Sequence, residues 1–307
     1  MLVFSTSDKG GTGRSVTSCN IAYRLCLAGD NVAYVDFDFG SPTAGALFEI
    51  GGMERGIPET TGSGVHSYLL GASGTATHID VGKDTERPEL KGIGPRSGRL
   101  VLVPGNEGGA EFLECTSTTV TRCAKLLLAL EQEFAVVVVD LSAGRSAALE
   151  LALRTTALPQ MRHLTVRWLI FHRWTRQHIL AASGLVYGPN GLLQSGVSYQ
   201  HVESELLGSL RYVRTAVPAT TAESSDPHGA QSTWLQQQSA KLRTMAAEHR
   251  LGQSLVLGET PIEPVLQWRE QLILDRDVHA RIARTETVQA YSRIARRLID
   301  NATWELL

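Results

Sequence analysis

Lys9-Gly10-Gly11-Thr12-Gly13-Arg14-Ser15 is the stretch that decides the fold. Its glycines free the backbone to turn N–H groups toward an anion, and a helix that follows adds its positive N-terminal end. The flanks supply that context. Leu2-Val3-Phe4-Ser5 is a short apolar run that reads as a strand, and Val16, Cys19, Ala22, Tyr23 and Cys26 recur at helical spacing until Gly29 stops the helix. Strand, glycine loop and helix in this order form a phosphate cradle, with the Ser15 hydroxyl at the magnesium-binding place.

Working outward, Asn31-Val32-Ala33-Tyr34-Val35-Asp36 is a continuous apolar run of the kind found in a sheet covered on both faces. Leu100-Val101-Leu102-Val103 and Phe134 to Asp140 repeat the theme, with a helix over residues 118–131 between them. The expected fold is α/β: a doubly wound, mostly parallel sheet with helices on both faces. Residues 51–98 are rich in Gly, Ser and Thr, with a helix over 65–70, and read as a surface insertion. Further on, strands are expected over 163–171, 210–217 and 254–257, and helices over 174–186, 233–250 and 277–306. Stretches 188–196 and 218–229 read as mobile loops. Residues 162–176 interleave bases and aromatics, but Leu164, Val166, Trp168 and Ile170 alternate like a strand with one buried face. No linker divides the chain, so residues 1–307 are read as a single domain.

Composition bounds the function. The 307 residues are 43% hydrophobic and 20% charged, which argues against a disordered or fibrous chain. A formal net charge of −2 removes any overall positive field for nucleic acid or membrane, so such a surface must be local. No run approaches the roughly 20 apolar residues of a membrane span, and the N-terminus lacks a signal-peptide core, so a cytoplasmic location is expected. Cys19, Cys26, Cys115 and Cys123 form no C-x-x-C pair and read as buried thiols.

The block Lys9-Gly10-Gly11-x-Gly13-x-Ser15 resembles the deviant Walker A motif, K-G-G-x-G-K-[ST], of the ParA/MinD-type P-loop ATPases. Val35-Asp36-Phe37-Asp38-Phe39-Gly40-Ser41-Pro42-Thr43 resembles the second motif of that family, and Val136 to Asp140 its Walker B strand. Leu102-Val103-Pro104-Gly105 is similar to the strand and turn before it. The resemblance is specific over residues 1–150 and holds only in outline beyond. It implies ATP and Mg2+ as cofactors. Lys9, Gly10, Gly11, Thr12, Gly13, Arg14, Ser15 and Val16 would hold the nucleotide, and Ser15, Asp38 and Asp140 the magnesium. Asp36 and Asp38 would orient the attacking water. Lys9 would reach across a nucleotide-dependent homodimer to the partner's phosphates. Residues 142–145 would form a switch loop hinged at Gly144, and Pro218 and Thr260-Pro261-Ile262-Glu263 would close over the base.

One position departs from the family pattern: Arg14 stands where the P-loop lysine belongs. Charge is kept, but a planar guanidinium replaces a compact ammonium, so nucleotide binding is a safer expectation than hydrolysis. The implied function is an ATP- and magnesium-binding dimeric switch, an ATPase whose nucleotide state controls contact with a protein partner; DNA or a membrane surface stays open as a partner. The alternative is an ATP-binding regulatory scaffold with little or no turnover. A biosynthetic ligase also fits this fold type, but Lys9 favours the first two. The iron–sulfur chemistry of the nitrogenase iron protein is set aside: Cys115 is near one of its cysteine positions, but residues 141–145 lack the second. The C-terminal stripe of Val288, Tyr291, Ile294, Ala295, Leu298 and Ile299 reads as a helix docked on the core rather than laid on a membrane.

Overall fold

A run such as Val136-Val137-Val138-Val139 sends apolar side chains to both sides of a strand, because successive residues point to opposite faces, and both sides then require cover. The computed structural model describes residues 1–91, 96–109, 114–218 and 229–305. Its strands are β1 (Leu2–Thr6), β2 (Val32–Phe37), β3 (Ile79–Asp80), β4 (Leu100–Val103), β5 (Val136–Leu141), β6 (Val166–Arg173), β7 (Leu210–Val217) and β8 (Val256–Pro261). They form one sheet in the order β3-β4-β2-β5-β1-β6-β7-β8, parallel throughout except for the short edge strand β3. The helices are α1 (Arg14–Ala28), α2 (Ala44–Leu47), α3 (Val65–Leu70), α4 (Val81–Asp84), α5 (Ser117–Glu133), α6 (Ala147–Thr156), α7 (Arg176–Tyr187), α8 (Leu192–Ser198), α9 (Glu203–Gly208), α10 (Gly229–Glu248), α11 (Asp275–His279) and α12 (Thr285–Ile299).

The two faces divide as the pleat demands. Phe4, Val35, Val137, Val139 and Trp168 join the core under α5, α6 and α7. Val3, Tyr34, Val136, Val138 and Leu169 join the core under α1 and α12. The expected doubly wound α/β fold is therefore what forms. From β1 the chain builds outward through β2 in one direction and later through β6, β7 and β8 in the other. Crevices in such sheets open at the carboxyl ends of strands where this direction reverses, here at β1 and β5.

Several expectations change. Residues 51–98 are more than a surface excursion: Ile57, Val65, Leu69, Val81 and Leu90 are buried, and β3 pairs with β4. Strand β6 is buried on both faces, because Trp168 and Ile170 enter the core on one side of the sheet and Leu169 and Phe171 the core on the other, and its Arg167 is spent on the Leu298 carbonyl and Asn301. The loop expected over 188–196 is partly the helix α8. There Gly196 is a contact residue, since a Cβ on it would stand 2.3 Å from Leu206 Cδ2 of α9. The loop expected over 218–229 falls at residues 219–228 outside the described residues. The last strand continues to Pro261, and the last helical region breaks into α11 and α12 around Arg281, whose φ of +57° is left-handed.

Helix α12 docks on the core: Tyr291, Ile294, Ala295 and Leu298 are buried and Val288 is half-buried, but Ile299, expected in the same stripe, is exposed at the helix end with Arg293, Arg296 and Arg297. Among the described residues no helix is long and apolar enough to cross a membrane. Gly258 of β8 lets α12 approach, since a Cβ there would lie 2.4 Å from Ile294 Cγ1. Ile294→Ala should therefore lower stability by about 2–5 kcal/mol through the cavity it leaves. Gly258→Val should lower it by about 1–3 kcal/mol through overpacking. Urea unfolding of the two variants beside wild type checks both values.

Candidate functional site

Strand β1 delivers the chain to the glycine loop at the sheet's carboxyl edge. Gly11 and Gly13 adopt left-handed conformations, with φ of +70° and +73°, which a side chain would strain. Helix α1 begins at Arg14 with Gly13 as its N-cap and no side-chain cap on its first turn. The leading N–H groups of a helix have no intrahelical partner, so this end is suited to an anion. Thr215 Oγ1 of β7 donates to the Thr12 carbonyl at 2.5 Å, tying the loop to the sheet, and Ser7 Oγ donates to the Lys9 carbonyl at 3.0 Å. Lys9, Gly10, Gly11 and Gly13 are exposed, Ser15 is half-buried, and Thr12 and Val16 are buried.

Arg14 is the central group of the site and only 6% exposed. Its Nε donates to Asp140 Oδ1 at 2.6 Å, and its Nη2 donates to Asp38 Oδ2 at 2.8 Å and to Ser15 Oγ at 3.3 Å. Burial alone would lower the guanidinium's pKa, but the charges of Asp140 and Asp38 outweigh it and hold the group above its ordinary value. The three residues expected to hold magnesium thus do converge, and they converge on a cation that the chain supplies itself. Oxygen donors of this kind suit a hard dication, yet these three are engaged by Arg14, so the site as built does not fit magnesium.

Asp36 takes a different place from Asp38. Its Oδ1 accepts from the Asp38 N–H at 3.1 Å, and its Oδ2 accepts from the N–H groups of Thr43 and Ala44 at 3.1 and 3.0 Å. The carboxylate shapes the loop leaving β2 and the start of α2. Burial, followed by the nearby charge of Asp140, pushes its carboxyl up to about 7. The loop after β5 is fastened at both sides: Ser142 N–H donates to the Phe37 carbonyl, and Gly144 N–H, at a left-handed φ of +78°, donates to the Ser7 carbonyl at 2.7 Å. Arg145 adds a 2.9 Å ion pair to Asp8 beside the glycine loop.

A pocket of about 200 Å³ opens beside Gly11, Thr12 and Gly13 and reaches to Thr260 and Pro261 at the end of β8 and Glu263 just after it. Of the residues expected around a base, these three line it, Ile262 is 39% exposed, and Pro218 is half-buried at the end of β7. Arg173, Thr215 and Tyr291 also line it, and sequence reasoning missed them. They come from three separate elements, and only the sheet order brings them to the loop. Arg145 was expected in a switch loop, but its pairing with Asp8 was not foreseen. All four cysteines are buried and none forms a disulfide, as expected.

No family model and no curated protein matches the chain. Solved structures match it over nearly its whole length. The MinC:MinD cell division protein complex of Aquifex aeolicus aligns at 18% identity over 97% of this chain and 95% of that one, with a TM-score of 0.57. The septum site-determining protein MinD complexed with Mg-ADP, from Pyrococcus horikoshii, aligns at 14% identity over 98% of both chains, with a TM-score of 0.55. The chain has the fold of the MinD- and ParA-type P-loop ATPases. Cobyrinic acid a,c-diamide synthase of Mycobacterium smegmatis is also similar, at 14% identity over 97% of this chain and 94% of that one and a TM-score of 0.55. The MinD-like fold is thus shared by proteins of different chemistry.

His172, next to the pocket residue Arg173 on β6, supplies a pH test of how this edge is packed. It is buried, its Nδ1 lies 3.1 Å from the Arg173 carbonyl, and its Nε2 has no hydrogen-bond partner among the described residues. Burial pushes its pKa down to about 4, and the charge of Arg214 pushes the same way. A base whose folded pKa is depressed contributes stability above its unfolded pKa, near 6.5, and loses it as pH falls toward 4. Asp36 acts in the opposite sense over an overlapping window, so the comparison must be with a variant. Between about pH 7 and about pH 5, the melting temperature of wild type should fall more than that of His172→Phe, as followed by circular dichroism.

Proposed function

We propose that this chain is an ATP-binding switch protein in which the loop over residues 9–16 holds the phosphates. The reading is carried by one observation: two left-handed glycines present an uncapped helix N-terminus at the sheet's carboxyl edge, beside the 200 Å³ pocket. In this reading Gly10 to Ser15 and Val16 surround the phosphates with backbone N–H groups. The pocket between the loop and Thr260, Pro261 and Glu263 takes the base. Lys9 is exposed and free to reach the phosphates of a second copy, so that ATP closes a homodimer and its nucleotide state sets contact with a protein partner. A neighbouring structure is that of a MinC:MinD complex, which supports a protein partner in general terms.

A second reading, an ATP-binding scaffold with little turnover, is favoured by the engagement of Asp38 and Asp140 with Arg14 and of Asp36 with loop N–H groups. Carboxylates held in this way are poorly placed to orient water, and hydrolysis depends on such placement. Similarity to a synthase shows that the fold alone does not choose among chemistries; Lys9 favours the switch or the scaffold over a synthase.

Isothermal titration with ATP and light scattering of the eluted protein distinguish these outcomes. Wild type is expected to bind ATP and to shift from monomer toward dimer. Lys9→Ala should keep ATP affinity within about threefold while weakening dimerisation by about tenfold or more, the range associated with losing one buried charge-assisted contact. Phosphate release should stay low in wild type and rise in Arg14→Lys under the scaffold reading. Absence of ATP binding by wild type would sink both readings.

A further inference from the structure

The point where Ser15 Oγ, Asp38 Oδ2 and Asp140 Oδ1 meet holds two carboxylates, and Asp140 is 1% exposed. Two ionised carboxylates this close, one buried and one part-buried, need a counter-charge if neither is to take up a proton. Arg14 provides it from within the chain: it is always charged, itself buried, and its planar fork spans both carboxylates at once. A divalent ion entering here would have to shed water, break the buried Arg14–Asp140 pair and the part-buried Arg14–Asp38 pair, and leave the buried guanidinium charge unpaired, which is strongly unfavourable.

We propose that Arg14 is a built-in cation that occupies the divalent-metal position and makes nucleotide binding at this site independent of metal. The inference deepens the ATP-binding reading and rests on it for the nucleotide arm only. The metal arm stands on the geometry of Arg14, Asp38 and Asp140.

The metal arm uses Mn2+ as the probe, titrated into the full chain without nucleotide and followed by electron paramagnetic resonance. Wild type should leave the Mn2+ free, whereas Arg14→Gln should take up about one ion per chain, lost again when Asp140→Asn is added. Uptake by wild type that Asp140→Asn abolishes overturns the proposal, as does a folded Arg14→Gln that gains no Mn2+. The wild-type titration decides the matter even where Arg14→Gln fails to fold. In the nucleotide arm, the ATP affinity of wild type should change by less than about threefold between Mg2+ and EDTA. In Arg14→Lys, where a smaller ammonium leaves room at the three oxygens, Mg2+ should tighten ATP about tenfold or more. A tenfold dependence of wild type on Mg2+ overturns the proposal. No ATP binding under any condition overturns the nucleotide reading instead, and the Mn2+ result then still stands or falls on its own.

Discussion

Charge balance at the carboxyl edge of the sheet governs this molecule's site. Asp36 and Asp140 sit opposite one another in the register of β2 and β5, and Asp140 is also opposite Ser5 of β1. Parallel pairing of central strands therefore brings carboxylates together where water is largely excluded, and they stay compatible with folding only because each has a defined partner. Asp140 is held by Arg14, while Asp36 is held by three backbone N–H groups and has its carboxyl pushed up to about 7. Breaking either set would leave a buried charge or unpaired amides, and the loop and the helix start would lose their anchors.

The rest of the architecture serves that edge. Helices cover both faces of the sheet, so a small ligand can enter only where strands end and loops begin. The glycine loop, the turn after β2, the loop after β5 and the segment beyond β8 all gather there. They are cross-tied by Thr215 to Thr12, Ser142 to Phe37 and Arg145 to Asp8. A loop tied at this many points is already shaped before a ligand arrives, which lowers the ordering cost of binding.

Much of this was legible in the sequence where the physics is local. The strand–loop–helix at residues 2–26, the apolar runs of β2, β4 and β5, and the buried stripe of α12 all announce themselves by periodicity and by glycine placement. Reading failed where a residue's meaning came from a distant neighbour. Gly196 looked like a loop glycine and is a contact residue under Leu206. The stripe from Leu164 to Ile170 suggested one buried face, but β6 has strands on both edges and cover on both sides. The Gly-, Ser- and Thr-rich stretch over 51–98 looked like surface, yet its few apolar residues fill the margin of the sheet.

By itself, then, the sequence determined the α/β alternation, the position of the anion-binding loop and the anomaly of an arginine at residue 14, because hydrophobic period, glycine freedom and side-chain identity are properties of short segments. Tertiary structure decided what that arginine touches. Residues 14, 38 and 140 are far apart in the chain, and only the strand order β2-β5-β1 brings both carboxylates within 3 Å of the Arg14 guanidinium. In a buried crevice an ionised carboxylate must meet its counter-charge wherever the fold places one, and here the fold places it on Arg14.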